Sequence, residues 1–446
     1  MLFMDFSSKS KKHFQRTNLE KLKIFLVLLK KFYNYLEDLP MLVKRENYLR
    51  RIRPFYDVDI IKVLIGSRRA GKSKIIELII EELKEKGVSE ADIIYLNFEK
   101  LEYEDIDDYK KLNQYVNAHK GEGKQYLFFD EIHHVKGFEK AINSFRVSFP
   151  CSIFITGSNS KMLSSEISTL LTGRVIEFPI YPFTYAESEE YRTLNGKKIE
   201  NSFFDYLKLG GYPLRFDLSD EESVKGYLKE LYQNICQKDI FARDINIEKT
   251  KFYKISSYIL ANAGKDFSVE SIYNYLKSNS GGKEYCSLAS LYNYLEKMEK
   301  SFLIKPIYRY NIPGKAMLKS NPKYYALDNG MRLVNSNSNE FDVGRYLENL
   351  LCLELLSRGY EVYVGKTYKG EVDFVVTKNA KKCFIQVSYL LTDEDTIERE
   401  FGAFSCIKDH SPKYVLSLDS IDMSRDGITH LNIIDFCLGK VDLFLS

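Results

Sequence analysis

Hydrophobic and polar positions fall into short blocks between residues 59 and 180, and the period of the pattern changes from block to block. Residues 59–65 form an apolar, β-branched run that predicts a buried strand, and residues 74–84 place apolar side chains on most sides, as a largely buried helix does. Further strand-like runs lie at 92–97, 125–131, 152–160 and 174–180. Strands that alternate with helices predict an α/β fold with a parallel sheet and helices on both faces.

The turn between the first strand and the first helix carries candidate chemistry. Residues 66–73 have the sequence GSRRAGKS, which fits the phosphate-loop pattern G-x-x-x-x-G-K-[S/T] in the strand–turn–helix context that this motif requires. Its glycines allow the backbone to wrap around phosphates, while the lysine reaches the β- and γ-phosphates and the serine holds Mg²⁺. We therefore predict that ATP is bound by Gly66, Ser67, Arg68, Arg69, Ala70, Gly71, Lys72 and Ser73.

Hydrolysis requires carboxylates beside the phosphate loop. The run at 125–131 ends in Asp130 and Glu131, 58 residues after Lys72. We predict that Asp130 holds Mg²⁺ together with Ser73 and that Glu131 positions the attacking water. The alternative is a strand that merely ends in two acids.

The next strand ends in a polar cluster. Ser158 and Asn159 follow the apolar run that begins at residue 152, at the place where a side chain could sense the γ-phosphate. We take Asn159 as a candidate catalytic residue. An ordinary exit from a strand into a turn would have the same composition.

Composition and charge fit a cytoplasmic protein that contacts an anion locally. The seven cysteines have no metal-binding spacing, which predicts reduced thiols, and no apolar run is long enough to span a bilayer. The net charge is only +3, but residues 1–53 carry thirteen Lys and Arg against five Asp and Glu, and residues 250–310 carry nine against five. Such segments suggest contact with nucleic acid, although a solvated basic face is the alternative.

The N-terminal 40 residues form a basic extension with a helical, lysine-rich pattern over 19–39. Met41 opens a plausible second start, so the sequence leaves open whether Met1 or Met41 is the true one.

Residues 250–310 have a different pattern of predicted elements from the preceding chain. Three helices are predicted at 252–263, 268–277 and 287–298, followed by a strand at 304–310, which is the order of a winged helix-turn-helix. Such modules bind DNA or dock proteins. On the third helix we expect outward side chains that can contact phosphates or base edges, namely Ser287, Ser290, Asn293, Tyr294 and Lys297.

Several motifs together resemble a known family. GSRRAGKS, FFDEIHH, ITGSNS, LLTGR at 170–174 and YPFTYAE at 181–187 look like the AAA-type ATPases of bacteria and archaea that carry a C-terminal domain of unknown function. The resemblance covers nearly all of residues 42–446. It implies an ATPase core over 41–185, a helical lid over 186–249 that includes the loop GGYP at 210–213, a winged helix over 250–310, and a last domain over 311–446.

The resemblance also assigns a role to Arg174. In AAA proteins an arginine just before the last core strand can act on the nucleotide of a neighbouring subunit, and Arg174 occupies that place. This implies a homo-oligomer. The alternative is an intramolecular salt bridge.

The last domain resembles the restriction-endonuclease-like fold, with a helix that contains Glu348, a strand with Asp373, and a strand with Gln386 and Ser388. That fold has functional groups at four such positions: a first acid on the helix, an aspartate, and then a second acid and a lysine, which act around Mg²⁺. Here Gln386 replaces the second acid and Ser388 stands where the lysine would be, so two of four groups are missing. We expect the domain to be nuclease-like in fold and inactive, unless Lys381 or Lys382 takes the lysine's role.

The sequence therefore predicts a Mg²⁺-dependent ATPase of the AAA class, coupled to DNA or a partner and not to a membrane. Two alternatives remain: an ATP-regulated DNA nuclease, and a nucleotide-gated binding switch with little turnover.

Overall fold

The computed structural model describes residues 42–157, 173–279, 285–336 and 341–444. The extension predicted over residues 1–40, the second start at Met41, and the sensor candidates Ser158 and Asn159 lie outside the described residues. No helix in the described ranges combines the length and the apolar character needed to cross a membrane.

The N-terminal half contains a five-stranded sheet in the order β2-β3-β4-β1-β5, and every neighbouring pair is parallel. The predicted parallel α/β sheet is thus confirmed. The strands are β1 (Ile61–Ile65), β2 (Ile93–Asn97), β3 (Gln125–Asp130), β4 (Cys151–Gly157) and β5 (Val175–Pro179).

Helices cover both faces of this sheet, which explains why its central strands are apolar at successive positions. In β3, Tyr126 and Phe128 join one hydrophobic cluster with the first two helices. Leu127 and Phe129 point to the other face and join a cluster with the next two. The four helices are α1 (Glu46–Ile52), α2 (Lys72–Glu85), α3 (Tyr109–His119) and α4 (Phe138–Ser148).

A helical region follows β5 and covers the end of the sheet near residues 66–73. Its first helix begins with a capping box, in which Thr184 and Glu187 satisfy each other's backbone N–H groups. The helices are α5 (Tyr185–Leu194), α6 (Ser202–Leu209) and α7 (Glu221–Ile235), and a π-helical segment (Cys236–Phe241) extends the last of them.

The three helices and the strand predicted within 250–310 are present, and a second strand follows directly. They are α8 (Lys249–Ala261), α9 (Val269–Asn279), α10 (Leu288–Lys300), β6 (Ile304–Asn311) and β7 (Ala316–Ala326).

The C-terminal part adds helices to both faces of a second sheet. The apolar side of α12 packs on Phe374 and Ile385, while α13 packs on Val375 and Phe384 of the opposite face. The elements are α11 (Asn329–Asn335), α12 (Val343–Ser357), β8 (Glu361–Lys366), β9 (Glu371–Lys378), β10 (Lys381–Val387), α13 (Glu394–Gly402), β11 (Lys413–Ser417), β12 (Thr429–Asn432) and α14 (Ile433–Cys437).

The second sheet corrects the expected separation of the middle segment from the last domain. Its order is β12-β11-β10-β9-β8-β6-β7, so the strand predicted as a wing and the strand after it both belong to the C-terminal sheet. Strand β6 pairs in parallel with β8 from Arg309 to Asn311. A boundary between residues 310 and 311 would cut this sheet, and no local pattern could have revealed a strand partner more than fifty residues away.

Candidate nucleotide-binding site

The loop of residues 66–73 connects β1 to α2 and has the shape that its glycines allow. A Cβ atom on Gly66 would lie 2.2 Å from the carbonyl oxygen of Ile180, so no side chain fits there. Gly71 has a φ of 96° and stands directly before α2. This backbone region favours glycine. The loop thus ends at the N-terminus of a 14-residue helix, an arrangement that binds phosphate groups.

Lys72 lies inside this loop rather than in solvent. Its side chain is buried, and Nζ donates hydrogen bonds of 3.1 Å to the carbonyl oxygens of Gly66 and Ser67. Nζ also lies 3.7 Å from Oε1 of Glu131. The ammonium group is therefore held between the loop and the end of β3, where a bound phosphate would meet it.

Asp130 ends β3 and is fully buried. Its Oδ2 accepts a hydrogen bond of 3.1 Å from Nδ2 of Asn97, and its Oδ1 accepts one of 2.5 Å from Thr156. Burial raises the pKa of Asp130, and hydrogen bonds from the hydroxyls of Ser73 and Thr156 oppose that rise. A carboxylate beside the Ser73 hydroxyl offers two of the oxygen ligands that Mg²⁺ prefers, so these residues fit the cation predicted for them.

Glu131 follows directly and has a left-handed φ of 53°. Burial alone would raise its pKa, but contact with His133 and the charge of Lys72 outweigh burial and hold the pKa at about 2. Nδ1 of His133 lies 3.2 Å from Oε2 of Glu131. A carboxylate that stays ionised this strongly is a weak base, and it is suited to orienting a water molecule rather than to removing its proton early.

Thr156, which the sequence analysis missed, links the two acids. Its hydroxyl donates to Asp130 and accepts a hydrogen bond of 2.9 Å from the backbone N–H of Glu131. The residue lies in β4, two positions before the predicted sensor Ser158. A polar residue near the end of an apolar strand is the signal that could have identified it.

Arg45 braces the phosphate loop from behind, and no motif pointed to it. Its guanidinium is buried and donates hydrogen bonds of 2.8 Å to the carbonyl oxygens of Ala70 and Tyr181. It also forms a buried ion pair of 3.0 Å with Glu187, the capping residue of α5. Because either charge would be costly to bury without the other, the two side chains stay paired, and the pair joins the loop to the first helix after β5.

The helical lid contacts the loop through two side chains. Arg68, predicted to bind ATP, forms two hydrogen bonds of 2.9 Å with the carboxylate of Asp239 in the π-helical segment. Tyr212, in the GGYP loop, donates a hydrogen bond of 3.0 Å to the hydroxyl of Ser67. Arg69 is exposed on the loop. The lid is thus positioned to respond to whatever the loop binds.

The GGYP loop is tied in turn to the C-terminal half. The backbone N–H of Gly211 donates a 2.7 Å hydrogen bond to Oδ2 of Asp328, and the same carboxylate caps α11 through Met331. Burial raises the pKa of Asp328 to about 6, against these backbone hydrogen bonds. A Cβ on Gly211 would lie 2.0 Å from the carbonyl oxygen of Phe183, which explains the glycine.

Arg174 lies at the opposite end of the strands from the phosphate loop. It is exposed just before β5, and its carbonyl oxygen accepts a 2.8 Å hydrogen bond from Ile61, the first residue of β1. The loop follows the last residue of β1, about 13 Å away at roughly 3.3 Å per residue. The backbone of Arg174 is therefore separated from the phosphate loop by the length of β1.

The outward face predicted for the third helix of the middle segment is correct at Ser287, which is exposed, and wrong at Tyr294. Tyr294 is buried and packs against Phe252 of α8 with ring centroids 5.4 Å apart. Lys297 forms an ion pair of 3.2 Å with Asp244, which Asn293 also contacts. The helix is rotated relative to our expectation, because α8 covers the tyrosine face. Its exposed residues are Ser287, Leu288, Ala289, Tyr292 and Glu296.

Ser287 and Ser290 serve the helix itself. Ser287 is the N-cap of α10 and accepts a 3.1 Å hydrogen bond from the backbone N–H of Ser290. Of the charged residues of α10, Glu296 is exposed, while Lys297 and Lys300 are half-buried and engaged in ion pairs.

Glu348 and Asp373 of the C-terminal domain are close enough to influence each other. Burial, and then the charge of Glu348, raise the pKa of Asp373 to about 8. Lys323 from β7 forms a 2.7 Å ion pair with Glu348 and partly opposes the rise. Gln386 directs its Oε1 to the backbone N–H of Asp373, at 3.3 Å. Sequence reasoning missed Lys323, because the strand that carries it, β7, was not predicted.

Neither proposed substitute for the missing lysine reaches this place. Lys382 pairs with Asp409 instead, and Lys381 is exposed at the far start of β10. Ser388 follows the strand and donates to the carbonyl oxygen of Leu390. Across the described ranges, no group of three or more His, Cys, Asp or Glu side chains could hold a metal ion.

Comparisons with known proteins show which families and structures this chain resembles. Residues 59–189 match a family model described as an AAA domain, and residues 200–340 match a domain of unknown function (DUF8612). A protein of Haemophilus influenzae is 33% identical over 403 residues, which are 89% of this chain and 99% of that protein. A protein of Methanocaldococcus jannaschii is 32% identical over 385 residues, 81% of each chain. A solved Walker-type ATPase of Pyrococcus abyssi aligns at 18% identity and a TM-score of 0.44, over 66% of this chain and 96% of that chain.

The fold and the site together are those of an AAA-type P-loop ATPase domain. The chain belongs to the same family as the Haemophilus influenzae protein, with which it aligns over almost the whole length of both. The predicted AAA class is confirmed by the match over residues 59–189.

Proposed function

We propose that this protein hydrolyses ATP in a Mg²⁺-dependent reaction. The observation that carries the proposal is the meeting of the phosphate loop with the end of β3, where Lys72 Nζ lies 3.7 Å from Glu131 and Ser73 contacts Asp130. Phosphoryl transfer requires positioning and charge stabilisation more than covalent chemistry, and these four side chains supply both.

Each residue has a distinct part in the proposed reaction. Lys72 leaves its two carbonyl partners to hold the β- and γ-phosphates, and Ser73 and Asp130 hold Mg²⁺, which would neutralise charge on the phosphate oxygens. Glu131, ionised because of His133 and Lys72, orients the attacking water. Thr156 fixes the two acids relative to each other.

Arg174 would complete the site from a second subunit. Its exposure and its place at the end of the strands opposite the phosphate loop support a contact in trans rather than in cis. We therefore propose a homo-oligomer as the active form, and the seven free cysteines support a reducing, cytoplasmic location.

Phosphate release from ATP with Mg²⁺, compared between the wild type and Glu131→Gln, tests the proposal. We expect turnover in the wild type and a loss of about 10²-fold or more in the variant, with ATP binding retained. Glu122→Gln, which changes an exposed acid in the turn before β3, is the matched control and should keep full activity. Equal turnover in all three proteins would contradict the role of Glu131. Tight ATP retention without turnover in the wild type would favour the nucleotide-gated switch.

A second candidate is an ATP-regulated DNA nuclease. The order α12-β8-β9-β10-α13-β11, with β10 and β11 parallel, supports the restriction-endonuclease-like fold, and Lys323 brings a cation to Glu348 and Asp373. Nicking of supercoiled plasmid that is lost in Asp373→Asn but kept in Asp395→Asn, an exposed acid on α13, would establish this activity. We expect no such nicking, because Gln386 and Ser388 stand where an acid and a lysine are needed, and because burial and the charge of Glu348 raise the pKa of Asp373.

A further inference from the structure

A cleft of about 930 Å³ separates α8 and α9 from α11 and the start of α12, on a part of the molecule away from the phosphate loop. Four basic side chains line it, and Asp342 is the single acid among the described residues that line it. The basic residues are Lys254, Lys265, Arg332 and Arg345. This concentration of charge is local, since the chain as a whole carries a formal charge of only +3.

Acidic side chains compensate few of these basic groups. In the part of the chain that the structure describes, Asp342 pairs with Arg345 at 2.8 Å. Arg332 is 3% exposed; it donates a hydrogen bond of 3.2 Å to the carbonyl oxygen of Arg345 and lies over the ring of Tyr346. Among the described residues, no carboxylate forms an ion pair with it. Burial and the charge of Arg345 lower the pKa of Arg332. The pKa of Lys265 is also lowered, by burial and then by the two arginines. A ligand with negative charge would relieve this mutual repulsion.

The cleft also presents aromatic rings. Tyr258 and Tyr275 stack with ring centroids 4.7 Å apart and an interplanar angle of 24°. Tyr275 is nevertheless 46% exposed. Because Tyr258 covers one face of this ring, the exposed area lies on the other face and the edges. An unpaired base can stack on such a ring.

We infer that this cleft, between α8–α9 and α11–α12, binds single-stranded nucleic acid, with the phosphates held by the basic side chains and a base stacked on Tyr275. A groove of positive charge interleaved with aromatic side chains is the chemistry that recognises an unpaired strand. A duplex keeps its bases stacked inside and cannot use the tyrosine. The inference goes beyond the proposed ATP hydrolysis, and it places the contact away from the exposed face of α10.

The cleft has a direct connection to the nucleotide site. Arg332 belongs to α11, the seven-residue helix that Asp328 caps, and Asp328 holds the backbone of Gly211. The next residue, Tyr212, contacts Ser67 of the phosphate loop. A strand held by Arg332 would therefore touch the element that reaches the loop.

Fluorescence anisotropy with a thymidine oligonucleotide of about 15 nucleotides tests the inference directly. Tyr275→Ala should weaken binding by about tenfold. The double variant Lys254→Ala/Lys265→Ala changes only exposed side chains and should lower the slope of log affinity against log salt by about 1.4, which is about 0.7 for each lost phosphate contact. The control Lys110→Ala/Lys229→Ala removes two exposed lysines of the ATPase core and the lid, and it should bind as the wild type does.

Three results would overturn the inference: no binding by the wild type, equal binding by the wild type and both cleft variants, or equal binding of a duplex of the same length. Inorganic polyphosphate that binds as tightly as the oligonucleotide, with Tyr275→Ala unaffected, would contradict the stacked base. The measurement is made without ATP and repeated in Lys72→Ala. Oligonucleotide binding that persists there, while turnover is absent, separates a failure of the ATPase proposal from a failure of this one.

Discussion

Two sites in this molecule place a pair of acids against a lysine, and they differ in what surrounds the acids. At the phosphate loop, Glu131 lies beside Lys72 and His133, and its pKa is held at about 2. In the C-terminal sheet, Asp373 lies beside Glu348, and its pKa is raised to about 8. The surroundings of Glu131 therefore favour its charged form, and burial together with Glu348 favours the protonated form of Asp373.

The difference lies in the number of donors that each buried carboxylate receives. Asp130 accepts hydrogen bonds from Asn97, Thr156 and Ser73, which oppose the effect of its burial. Asp373 accepts one from the backbone N–H of Val387 at 2.8 Å and faces the charge of Glu348. Burial raises the pKa of both aspartates; the hydroxyl donors to Asp130 oppose that rise, whereas the charge of Glu348 adds to it at Asp373.

The largest expected effect comes from replacing Lys72 with methionine, and the matched replacement of Lys323 is its comparison. Lys72→Met should lower ATP turnover by about 10³-fold, because it removes the cation that stabilises the transferred phosphate. Lys323→Met serves as its counterpart in the other site and should leave turnover unchanged. Steady-state phosphate release measures both. A comparable loss in Lys323→Met would mean that the two sites are not functionally separate.

The next effect concerns the brace behind the phosphate loop. Arg45→Met should lower the free energy of unfolding by about 3 kcal/mol, because it leaves the buried Glu187 without its ion-pair partner. Urea unfolding measures this loss. Arg146→Met, which breaks the pair with the exposed Asp59, is the comparison and should cost about 1 kcal/mol or less. Equal losses would contradict the buried role of Arg45.

The raised pKa of Asp373 predicts a pH dependence of stability. Its pKa is higher in the folded state than in the unfolded chain, so the folded state binds the extra proton between about pH 4 and pH 8. Wild-type stability should therefore fall as pH rises through this interval. Asp373→Asn has no titrating group at this position. Its free energy of unfolding should therefore rise relative to that of the wild type, by at most about 1.4 kcal/mol per pH unit. Denaturant unfolding at several pH values, with Asp395→Asn as control, checks the sign; a constant difference would contradict it.

The smallest effect concerns the contact between the lid and the loop. Tyr212→Phe removes one hydrogen bond to Ser67 and should weaken ATP binding by about 1 kcal/mol, or roughly fivefold. Tyr368→Phe changes a tyrosine that is 86% exposed and should have no effect. Calorimetric titration with ATP compares the two. An unchanged affinity in Tyr212→Phe would show that this contact does not report on the nucleotide.

What the sequence could predict follows from how local each feature is. The strand–loop–helix unit around Lys72 is encoded in about 25 consecutive residues, and the apolar runs between it and Asp130 give the parallel sheet. Arg45, Asp239 and Lys323 reach their sites from distant segments, and each is one ordinary charged residue in its own sequence context. The pairing of β6 with β8 was missed for the same reason, since a strand's own pattern does not name its partner.

The rotation of α10 shows a different limit. The 3, 4, 3 spacing of Leu288, Leu291, Leu295 and Met298 indicated one buried stripe. The structure buries a wider face that includes Tyr294 and exposes Leu288. Because α8 packs against this helix from the side, the buried arc is set by tertiary contact rather than by the apolar stripe alone.

The measurement that tests the central claim most directly is phosphate release and plasmid nicking in one wild-type preparation, with ATP and Mg²⁺ at neutral pH. The account predicts steady release of phosphate and an intact plasmid, because the surroundings of Glu131 favour its charged form and those of Asp373 favour the protonated form. Nicking that disappears in Asp373→Asn, or an absence of phosphate release while ATP stays bound, would contradict it.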